Sequence, residues 1–187
     1  MDNKLKQEMR MVGSGSDLAL KKMCDDAREI IGDSPTIVEL GSYMGESSLI
    51  IAEAFPNGKI ICIDSWEGGF DRLDSCSFSN YNEIEHQFDL RMNLVNNITK
   101  IKGLSTSFGF ECDMVYIDAC HKYECVKNDI IHWLPFVKKI MSGHDYYPDI
   151  DFCNRNPHIK GVKLAVEEML GLPDKQYDDS SWLIYKK

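Results

Sequence analysis

The segment at residues 37–45, IVELGSYMG, combines residue types that could bring a ligand close to the main chain. Its apolar start predicts a buried strand that carries Glu39, and Gly41 and Gly45 follow, the second at the start of a predicted helix. Gly41 lets the backbone turn sharply and approach a ligand with no side chain between them. In an open α/β sheet, ligands bind at the carboxyl ends of the strands, where this turn would lie. The two glycines alone fit a tight turn without a ligand equally well.

Asp64 indicates which ligand the turn would bind. It closes the next apolar run about 20 residues after Gly41, where a carboxylate can accept hydrogen bonds from both hydroxyls of a ribose. A dinucleotide fingerprint would need glycines where Tyr43 and Glu46 stand. In addition, Glu46 in the first helical turn would oppose a docked pyrophosphate. The pattern therefore favours S-adenosylmethionine (SAM), a nucleoside with a cationic sulfur and no phosphate, over the dinucleotide of an NAD-dependent oxidoreductase.

Acidic and imidazole side chains after two later strands could hold a metal ion. Asp118 directly follows a predicted strand and should reach the same crevice, and His144 and Asp145 follow another strand. The carboxylates suit Mg²⁺, and the histidine would also admit Mn²⁺. Alternatively, Asp118 binds only the backbone or the amino group of the cofactor, without a metal. His121 could accept a proton, since an imidazole has an ordinary pKa of about 6.5, or it could be a capping or surface residue.

Apolar periodicity predicts the elements that position these residues. Short apolar runs predict strands at Thr36–Leu40, Lys59–Asp64, Ile98–Lys102, Cys112–Ile117 and residues 140–142. Helical stripes predict helices at Ser16–Ile31, at residues 46–55 and 81–97, and in stretches striped from Val126 to Val137 and from Val162 to Met169. The alternation indicates a parallel sheet with helices on its faces. Two last runs, at residues 175–177 and 181–185, predict an antiparallel hairpin.

Two segments without periodicity, residues 65–80 and 146–158, predict long loops that cover the substrate. Their aromatic and charged side chains would suit a sugar or, equally, a phenol. These side chains are Phe70, Arg72, Tyr146, Tyr147, Phe152 and Arg155.

The composition restricts the class of protein and its partners. The chain has 187 residues and a formal net charge of -9, which would repel a nucleic-acid backbone. It lacks an apolar run of the roughly 20 residues that a membrane span needs, and residues 1–10 lack the apolar stretch of a secretory signal. Seven cysteines without framework spacing are typical of reduced thiols. We therefore expect one cytoplasmic domain over residues 1–187, with a flexible segment at residues 1–15 and a small-molecule substrate.

Several motifs of the sequence together resemble those of a known protein family. The turn at residues 39–45, Asp64 after KIICI, and the stretch YIDACHKYECVKNDIIHWLP with SGHDY resemble SAM-dependent methyltransferases of the seven-stranded Rossmann-like type. Within this type, the sequence is most similar to small bacterial O-methyltransferases that act on sugars and natural products. The resemblance covers residues 36–182 and implies an α/β fold with a mostly parallel, seven-stranded sheet. One departure is that relatives usually have a Gly-Gly turn before the fifth strand, whereas residues 136–141 read FVKKIM. The exact placement of that strand is therefore open.

The resemblance also implies the residues that bind the cofactor. Those at the methionine end of SAM would be Glu39, Gly41 and Gly45. Ser42 and Asp118 would also bind the cofactor. Asp64 would hold the ribose. Those near the adenine would be Ser65, Trp66 and Ser105, although a tryptophan after a strand is more often a packing residue.

For catalysis, the resemblance implies transfer of a methyl group to an oxygen of a small hydroxylated molecule. Metal-dependent relatives take their ligands from the positions of Asp118, His144 and Asp145, and they place a proton acceptor at the position of His121. Relatives often form homodimers, which makes a homodimer possible here. The main alternative is a SAM-binding module without catalytic activity.

Overall fold

The computed structural model of the protein describes residues 6–186. Its strands are β1 (Thr36–Leu40), β2 (Lys59–Asp64), β3 (Ile98–Lys102), β4 (Cys112–Ile117), β5 (Val137–Gly143), β6 (Lys175–Gln176) and β7 (Trp182–Tyr185). They form one sheet in the order β3-β2-β1-β4-β5-β7-β6. Strands β1 to β5 are parallel, whereas β7 runs antiparallel to both β5 and β6. The predicted fold class, with its C-terminal hairpin, is confirmed.

Helices cover both faces of this sheet. They are α1 (Arg10–Ser14), α2 (Ser16–Ile31), α3 (Glu46–Ala54), α4 (Tyr81–Met92), α5 (Tyr123–Trp133), α6 (Ile150–Arg155) and α7 (Pro157–Met169). Successive residues of a strand point to opposite faces, which gives the molecule two cores. In β1, Ile37 packs in the core under α2, α3 and α4, and Val38 packs in the core under α5 and α7.

The order of the strands reverses at β1. The chain places β2 on one side of β1 and β4 on the other, with Leu40 in register with Ile63 and Ile117. Hydrogen bonds continue beyond the strand: the Gly41 N–H donates to the Ile63 carbonyl at 2.9 Å, and the Asp118 N–H donates to the Leu40 carbonyl at 2.8 Å. The turns after β1, β2 and β4 therefore meet at one edge, at the type of crevice where open α/β sheets bind ligands.

Strands β1 to β4 and helix α2 have the predicted bounds. Helix α4 ends at Met92 rather than at residue 97, because the chain there connects to β3. The side-chain amide of Asn97 donates to the Ala52 and Phe55 carbonyls at 3.1 and 2.9 Å, which ties this connection to the end of α3.

The largest boundary differences lie around β5. Helix α5 ends at Trp133, so Val137, predicted as part of the helical stripe, instead begins β5 opposite Cys112. Strand β5 thus runs from Val137 to Gly143 rather than over residues 140–142. Helix α6 was predicted as loop; the Asp149 side chain starts it by accepting a hydrogen bond from the Asp151 N–H at 2.8 Å.

At the other end of the chain, residues 1–5 of the predicted flexible segment lie outside the described residues, and its later part contains α1. The flexibility of this segment stays a prediction. Among residues 6–186, no helix combines the length and the apolar character needed to cross a bilayer.

Candidate active site

The turn after β1 rests directly on the turn after β4. Gly41 has a φ of +84°, and a Cβ atom at this position would lie 2.2 Å from the Asp118 carbonyl oxygen and 2.6 Å from the Ala119 Cα. Only glycine fits both the conformation and the contact. This contact fixes the distance between the turn after β1 and the backbone of Asp118.

Replacement of Gly41 by alanine should therefore destabilise the protein by roughly 2–5 kcal/mol, from the left-handed conformation and the backbone overlap together. Urea denaturation measures this loss. Gly171 is a matched control, because its φ is +87° but no atom lies within 4 Å of its hypothetical Cβ. Gly171→Ala should cost only about 1–2 kcal/mol. Equal losses for the two variants would contradict the close contact at Gly41.

The turns after the parallel strands surround a cavity at this edge of the sheet. Glu39 and Gly45, predicted at the methionine end of SAM, do not line this cavity. Glu39 is fully buried, and its carboxylate accepts hydrogen bonds from the hydroxyls of Ser42 and Ser47 at 2.6 Å each, and from that of Ser48. Burial raises the pKa of Glu39, while the three hydroxyls oppose this shift. Gly45 faces side chains of α4. Glu39 therefore positions Ser42 and Ser47, which do line the cavity.

Asp64 lies at the end of β2 and lines the cavity. Its carboxylate accepts hydrogen bonds from the Tyr43 N–H at 2.8 Å and the Trp66 N–H at 2.7 Å. Burial raises its pKa, and these backbone donors oppose the shift. Asp64 thus joins the turn after β1 to the turn after β2.

Trp66, predicted near the adenine, has its side chain in the core. It is 3% exposed, its ring centroid lies 4.9 Å from that of Phe88, and its indole N–H donates to the Tyr43 carbonyl. The backbone φ of +46° turns this side chain away from the crevice. The neighbouring Ser65 lines the cavity instead.

Glu46 has a structural partner that the sequence did not reveal. Its carboxylate is 6% exposed and accepts hydrogen bonds from the N–H groups of Arg10 and Met11, both at 3.1 Å. The buried guanidinium of Arg91 lies 3.6 Å away and compensates its charge. Glu46 thus anchors α1 over the cavity, whose lining includes Arg10 and Met11.

These turns enclose a cavity of about 510 Å³. Its walls come from the turns after β1, β2, β3, β4 and β5, from helices α1 to α5, and from the loop at residues 65–80. The predicted site residues that line it are Gly41, Ser42, Asp64, Ser65, Ser105, Asp118, His121, His144 and Asp145. The structure therefore brings these nine residues around one space.

Carboxylates and imidazoles form a cluster on one side of the cavity. The His121 Nε2 lies 3.1 Å from the Asp145 Oδ2 and 3.6 Å from the Asp118 Oδ1. The His144 Nδ1 lies 3.4 Å from the Asp145 Oδ1 and 4.0 Å from the Asp118 Oδ1. Asp74, from the loop at residues 65–80, adds a carboxylate 3.8 Å from the His121 Nδ1.

The carboxylates of this cluster raise the pKa values of His121 and His144. Burial lowers the pKa of His121, but contact with Asp118 and the charges of Asp145 and Asp118 outweigh burial and raise the pKa to about 9. Burial likewise lowers the pKa of His144, while the charge of Asp118 and the contact with Asp145 raise it to about 9. Both imidazoles are therefore protonated at neutral pH in the metal-free protein. A histidine must lose this proton before it can bind a metal.

The donor set fits a divalent cation. Ligand atoms of Asp118, His121 and Asp145 lie within 4.8 Å of one another. Two carboxylates and one imidazole suit Mg²⁺ or Mn²⁺. The sequence predicted His144 as the ligand, whereas the compact group in the structure contains His121. His144 lies beside this group.

Ser105 lies in the short segment after β3 and also lines the cavity. Its hydroxyl donates to the Asp129 carboxylate, which comes from α5 and also lines the cavity. The sequence predicted no role for Asp129, although this residue belongs to the stretch that carries the family resemblance. The pattern places this residue on a helix, and only the packing of α5 shows that it reaches the cavity.

The two predicted substrate loops contribute unequally. The loop at residues 65–80 lines the cavity with side chains that include Phe70, Asp71 and Asp74. The segment at residues 146–158 does not belong to the lining. Tyr146 is 2% exposed, and its hydroxyl donates to Glu167 on α7. Tyr147 packs against Phe152, with 4.7 Å between the ring centroids.

A family profile described as a methyltransferase domain matches residues 38–146, which include the turn after β1, Asp64 and the acidic cluster. This match covers more than half of the chain. The protein therefore belongs to this family and is a SAM-dependent methyltransferase with a Rossmann-like sheet.

Solved structures show the same fold at low sequence identity. A proposed caffeoyl-CoA O-methyltransferase from Staphylococcus aureus is 16% identical, with 90% of this chain and 82% of that chain covered and a TM-score of 0.59. CalO1, a methyltransferase in calicheamicin biosynthesis in its SAH-bound form, is 11% identical over 94% of this chain and 54% of its own, with a TM-score of 0.59. A proposed O-methyltransferase from Nostoc punctiforme is 14% identical over 89% and 55%, with a TM-score of 0.58.

This chain therefore spans about half the length of the CalO1 and Nostoc chains. No curated protein matches the sequence significantly. These likenesses support the fold alone.

Proposed function

We propose that the protein transfers a methyl group from SAM to an oxygen of a small hydroxylated molecule, a sugar or a related natural product, with the help of a divalent cation. One observation carries the proposal. Asp118, His121 and Asp145 share one cavity with Gly41 and Asp64. If the turns after β1 and β2 hold SAM, its methyl group would lie beside side chains that can bind a cation and accept a proton.

The proposed reaction is an in-line displacement. The acceptor oxygen attacks the methyl carbon, the new O–C bond forms as the S–C bond breaks, and S-adenosylhomocysteine leaves with the electron pair. The hydroxyl proton would pass to the imidazole that does not bind the cation. This imidazole must first lose its own proton, which the positive charge of a bound cation would favour. A bound divalent cation would supply Lewis acidity that orients the acceptor hydroxyl and favours its ionisation.

Alignment should contribute more to the rate than proton transfer. Positioning can supply effective molarities of roughly 10⁵–10⁸ M, whereas a general base contributes about 10²–10⁴-fold. The parts of this chain that align the reactants are the Gly41 turn, Asp64 and the walls of the cavity. An imidazole is needed for the proton but is not the main source of the rate.

Of His121 and His144, one would bind the cation and the other would accept the proton. The distances favour His121 as the ligand, whereas the resemblance favours His144 as the ligand and His121 as the acceptor. We expect that alanine at the ligand position weakens Mn²⁺ binding at least about 10-fold, and that alanine at the acceptor position slows turnover by about 10²–10⁴-fold with Mn²⁺ bound. Calorimetry with Mn²⁺ and single-turnover rates for His121→Ala and His144→Ala measure the two effects. Unchanged cation affinity in both variants would contradict a histidine ligand.

The charge of the cavity bears on the acceptor. Asp71, Asp74, Asp118 and Asp145 all line it, whereas Arg10 is the one lysine or arginine in the lining among residues 6–186. A divalent cation would neutralise Asp118 and Asp145, but Asp71 and Asp74 would still repel a phosphorylated or carboxylated acceptor. We therefore propose a neutral or cationic hydroxylated acceptor.

The test is an incubation of the purified protein with SAM, Mg²⁺ and two panels of acceptors, methyl glycosides and catechols. S-adenosylhomocysteine is quantified by chromatography, and NMR locates the methyl group. We expect O-methylation of a glycoside that stops when EDTA removes the cation. Turnover of catechols alone would change the acceptor class to phenols. SAM binding without turnover on both panels would favour a non-catalytic module, and binding of NAD in place of SAM would overturn the proposal.

A further inference from the structure

Asp71, in the loop at residues 65–80, is a buried carboxylate in the cavity lining. The residue is 3% exposed and forms part of the cavity wall. Its Oδ1 accepts a hydrogen bond from the Leu73 N–H at 3.0 Å. Its Oδ2 is buried and has no hydrogen-bond partner in the described part of the chain. Since buried polar atoms normally have a partner, this carboxylate is left with room for a donor that the protein does not supply.

The protein also supplies no cation to compensate Asp71. Among residues 6–186, no ion pair joins this carboxylate to a lysine, arginine or histidine. The Lys122 ammonium donates to the neighbouring Phe70 carbonyl instead. The guanidinium of Arg10 lies over the Tyr43 ring, 5.5 Å from its centroid. A buried negative charge without a counter-charge is costly, so a cationic ligand in the cavity would stabilise it.

Hydrogen bonds within the loop hold Asp71 in place. Its N–H donates to the Ser77 hydroxyl at 3.2 Å, and its carbonyl accepts from the Asp74 N–H at 3.2 Å. The Gly69 N–H donates to the Ser77 carbonyl at 3.0 Å and ties the two ends of this segment together. The position of Asp71 is therefore set before a ligand arrives, which lowers the entropy cost of binding.

Contacts on both sides of Asp71 place it near the cluster of carboxylates and imidazoles. Phe70, directly before it, is bound to Lys122. The Asp74 carboxylate, three residues after it, lies 3.8 Å from the His121 Nδ1. Lys122 and His121 both belong to the turn after β4. An acceptor whose hydroxyl lies at this cluster can therefore extend a second group toward Asp71.

A protonated amine is the ligand that suits this carboxylate. It brings a positive charge and several N–H donors, whereas a neutral hydroxyl would leave the charge of Asp71 uncompensated. Within the described chain, the group that could hold a metal ion consists of Asp118, His121 and Asp145 and does not include Asp71. Phe70 lines the cavity beside Asp71, and an aromatic ring also attracts a cation.

We propose that Asp71 binds a protonated amino group of the methyl acceptor, and that the acceptor is a hydroxylated amine such as an amino sugar. The ammonium pairs with the Asp71 carboxylate while a hydroxyl of the same molecule receives the methyl group. This inference rests on the proposed function, because it requires an acceptor in the cavity. It restricts the acceptor to the cationic kind and makes Asp71 a residue that determines specificity.

The test compares three matched acceptors at pH 7. They are a methyl glycoside, the same glycoside with one hydroxyl replaced by an amino group, and the N-acetylated form of this amine, which has no positive charge. A panel covers the ring positions of the amino group. Initial rates with SAM and Mg²⁺ come from chromatography of S-adenosylhomocysteine, and NMR locates the methyl group. We expect the kcat/KM of the wild type for the amine to exceed that for both neutral forms by about 10- to 100-fold, since bonds between charged groups carry this much discrimination.

Asp71→Asn removes the charge and keeps an oxygen that can accept from the Leu73 N–H. It should reduce the preference for the amine to a few-fold, mainly through a higher KM. Asp151→Asn is the matched control, since it removes the same charge from an exposed residue of α6 outside the cavity lining. This control should retain the wild-type preference. Thermal denaturation checks that Asp71→Asn is folded.

The outcomes separate this inference from the proposed function. If SAM binds but no acceptor is methylated, the proposed function is wrong, and this inference is wrong with it. If the wild type methylates the neutral glycosides as well as the amine, the role of Asp71 alone is wrong, even when the variant fails to fold. Methylation of the nitrogen would also overturn this role, because an ammonium has no lone pair to attack the methyl group. If folded Asp71→Asn keeps the full preference, another carboxylate binds the amine.

Discussion

Replacement of Asp64 by alanine is expected to weaken the binding of S-adenosylhomocysteine by about 100-fold or more. The carboxylate would accept hydrogen bonds from the ribose hydroxyls, and bonds of this charged kind are stronger than neutral ones. Asp64 also joins the N–H groups of Tyr43 and Trp66, so its loss should loosen the first turn. Both effects reduce affinity in the same direction. Isothermal titration calorimetry measures the loss.

Asp113 provides a control that separates cofactor binding from damage to the sheet. Its carboxylate accepts a hydrogen bond from the Thr36 N–H at 2.8 Å, at the edge of the sheet opposite the cavity. Asp113→Ala should reduce stability to urea, since it too removes a bond to a backbone N–H, but it should leave the affinity within about 3-fold of the wild type. If Asp64→Ala bound S-adenosylhomocysteine like the wild type, the ribose would have to lie elsewhere.

The strands could be predicted from sequence because each is a short apolar run that ends in a turn residue. Thr36–Leu40 follows Pro35 and precedes Gly41, and Lys59–Asp64 follows Gly58. Strand β5 was harder, because FVKKIM lacks a glycine that would separate it from α5. A continuous apolar stripe from Val126 to Val137 thus conceals the change from a helical period to a strand.

The positions of site residues were easier to predict than the directions of their side chains. Asp64 and Asp118 follow parallel strands whose carboxyl ends meet at one edge, so their proximity follows from topology. The direction of Trp66 depends on a positive φ that the sequence does not reveal. The position of Asp129 in the cavity lining depends on the packing of α5 against the segment after β3. Side chains that reach the cavity from helices therefore needed the structure.

Replacement of Asp145 by asparagine is expected to abolish most methyl transfer while leaving SAM binding nearly unchanged. Asparagine tolerates the left-handed backbone at this position, where φ is +59°, so the turn after β5 should keep its shape. The variant loses a negative charge that faces both His121 and His144. Cation affinity should fall at least about 10-fold, and kcat should fall by roughly 10²–10⁴-fold.

The pKa of His121 in metal-free Asp145→Asn is a second measurement, and it does not depend on turnover. The charge of Asp145 contributes to raising the pKa of His121 to about 9 against burial, which lowers it. Without this charge, burial should move the pKa back toward its ordinary value, and an NMR titration of the imidazole reports the change. If Asp145 were only a neighbour of the site, the easier deprotonation of His121 would offset part of the attraction that the cation loses with this charge, and the affinity should change by only a few-fold. A loss of at least about 10-fold despite the lower pKa would therefore support Asp145 as a ligand. A gain of affinity with full turnover would contradict its place in the cation site.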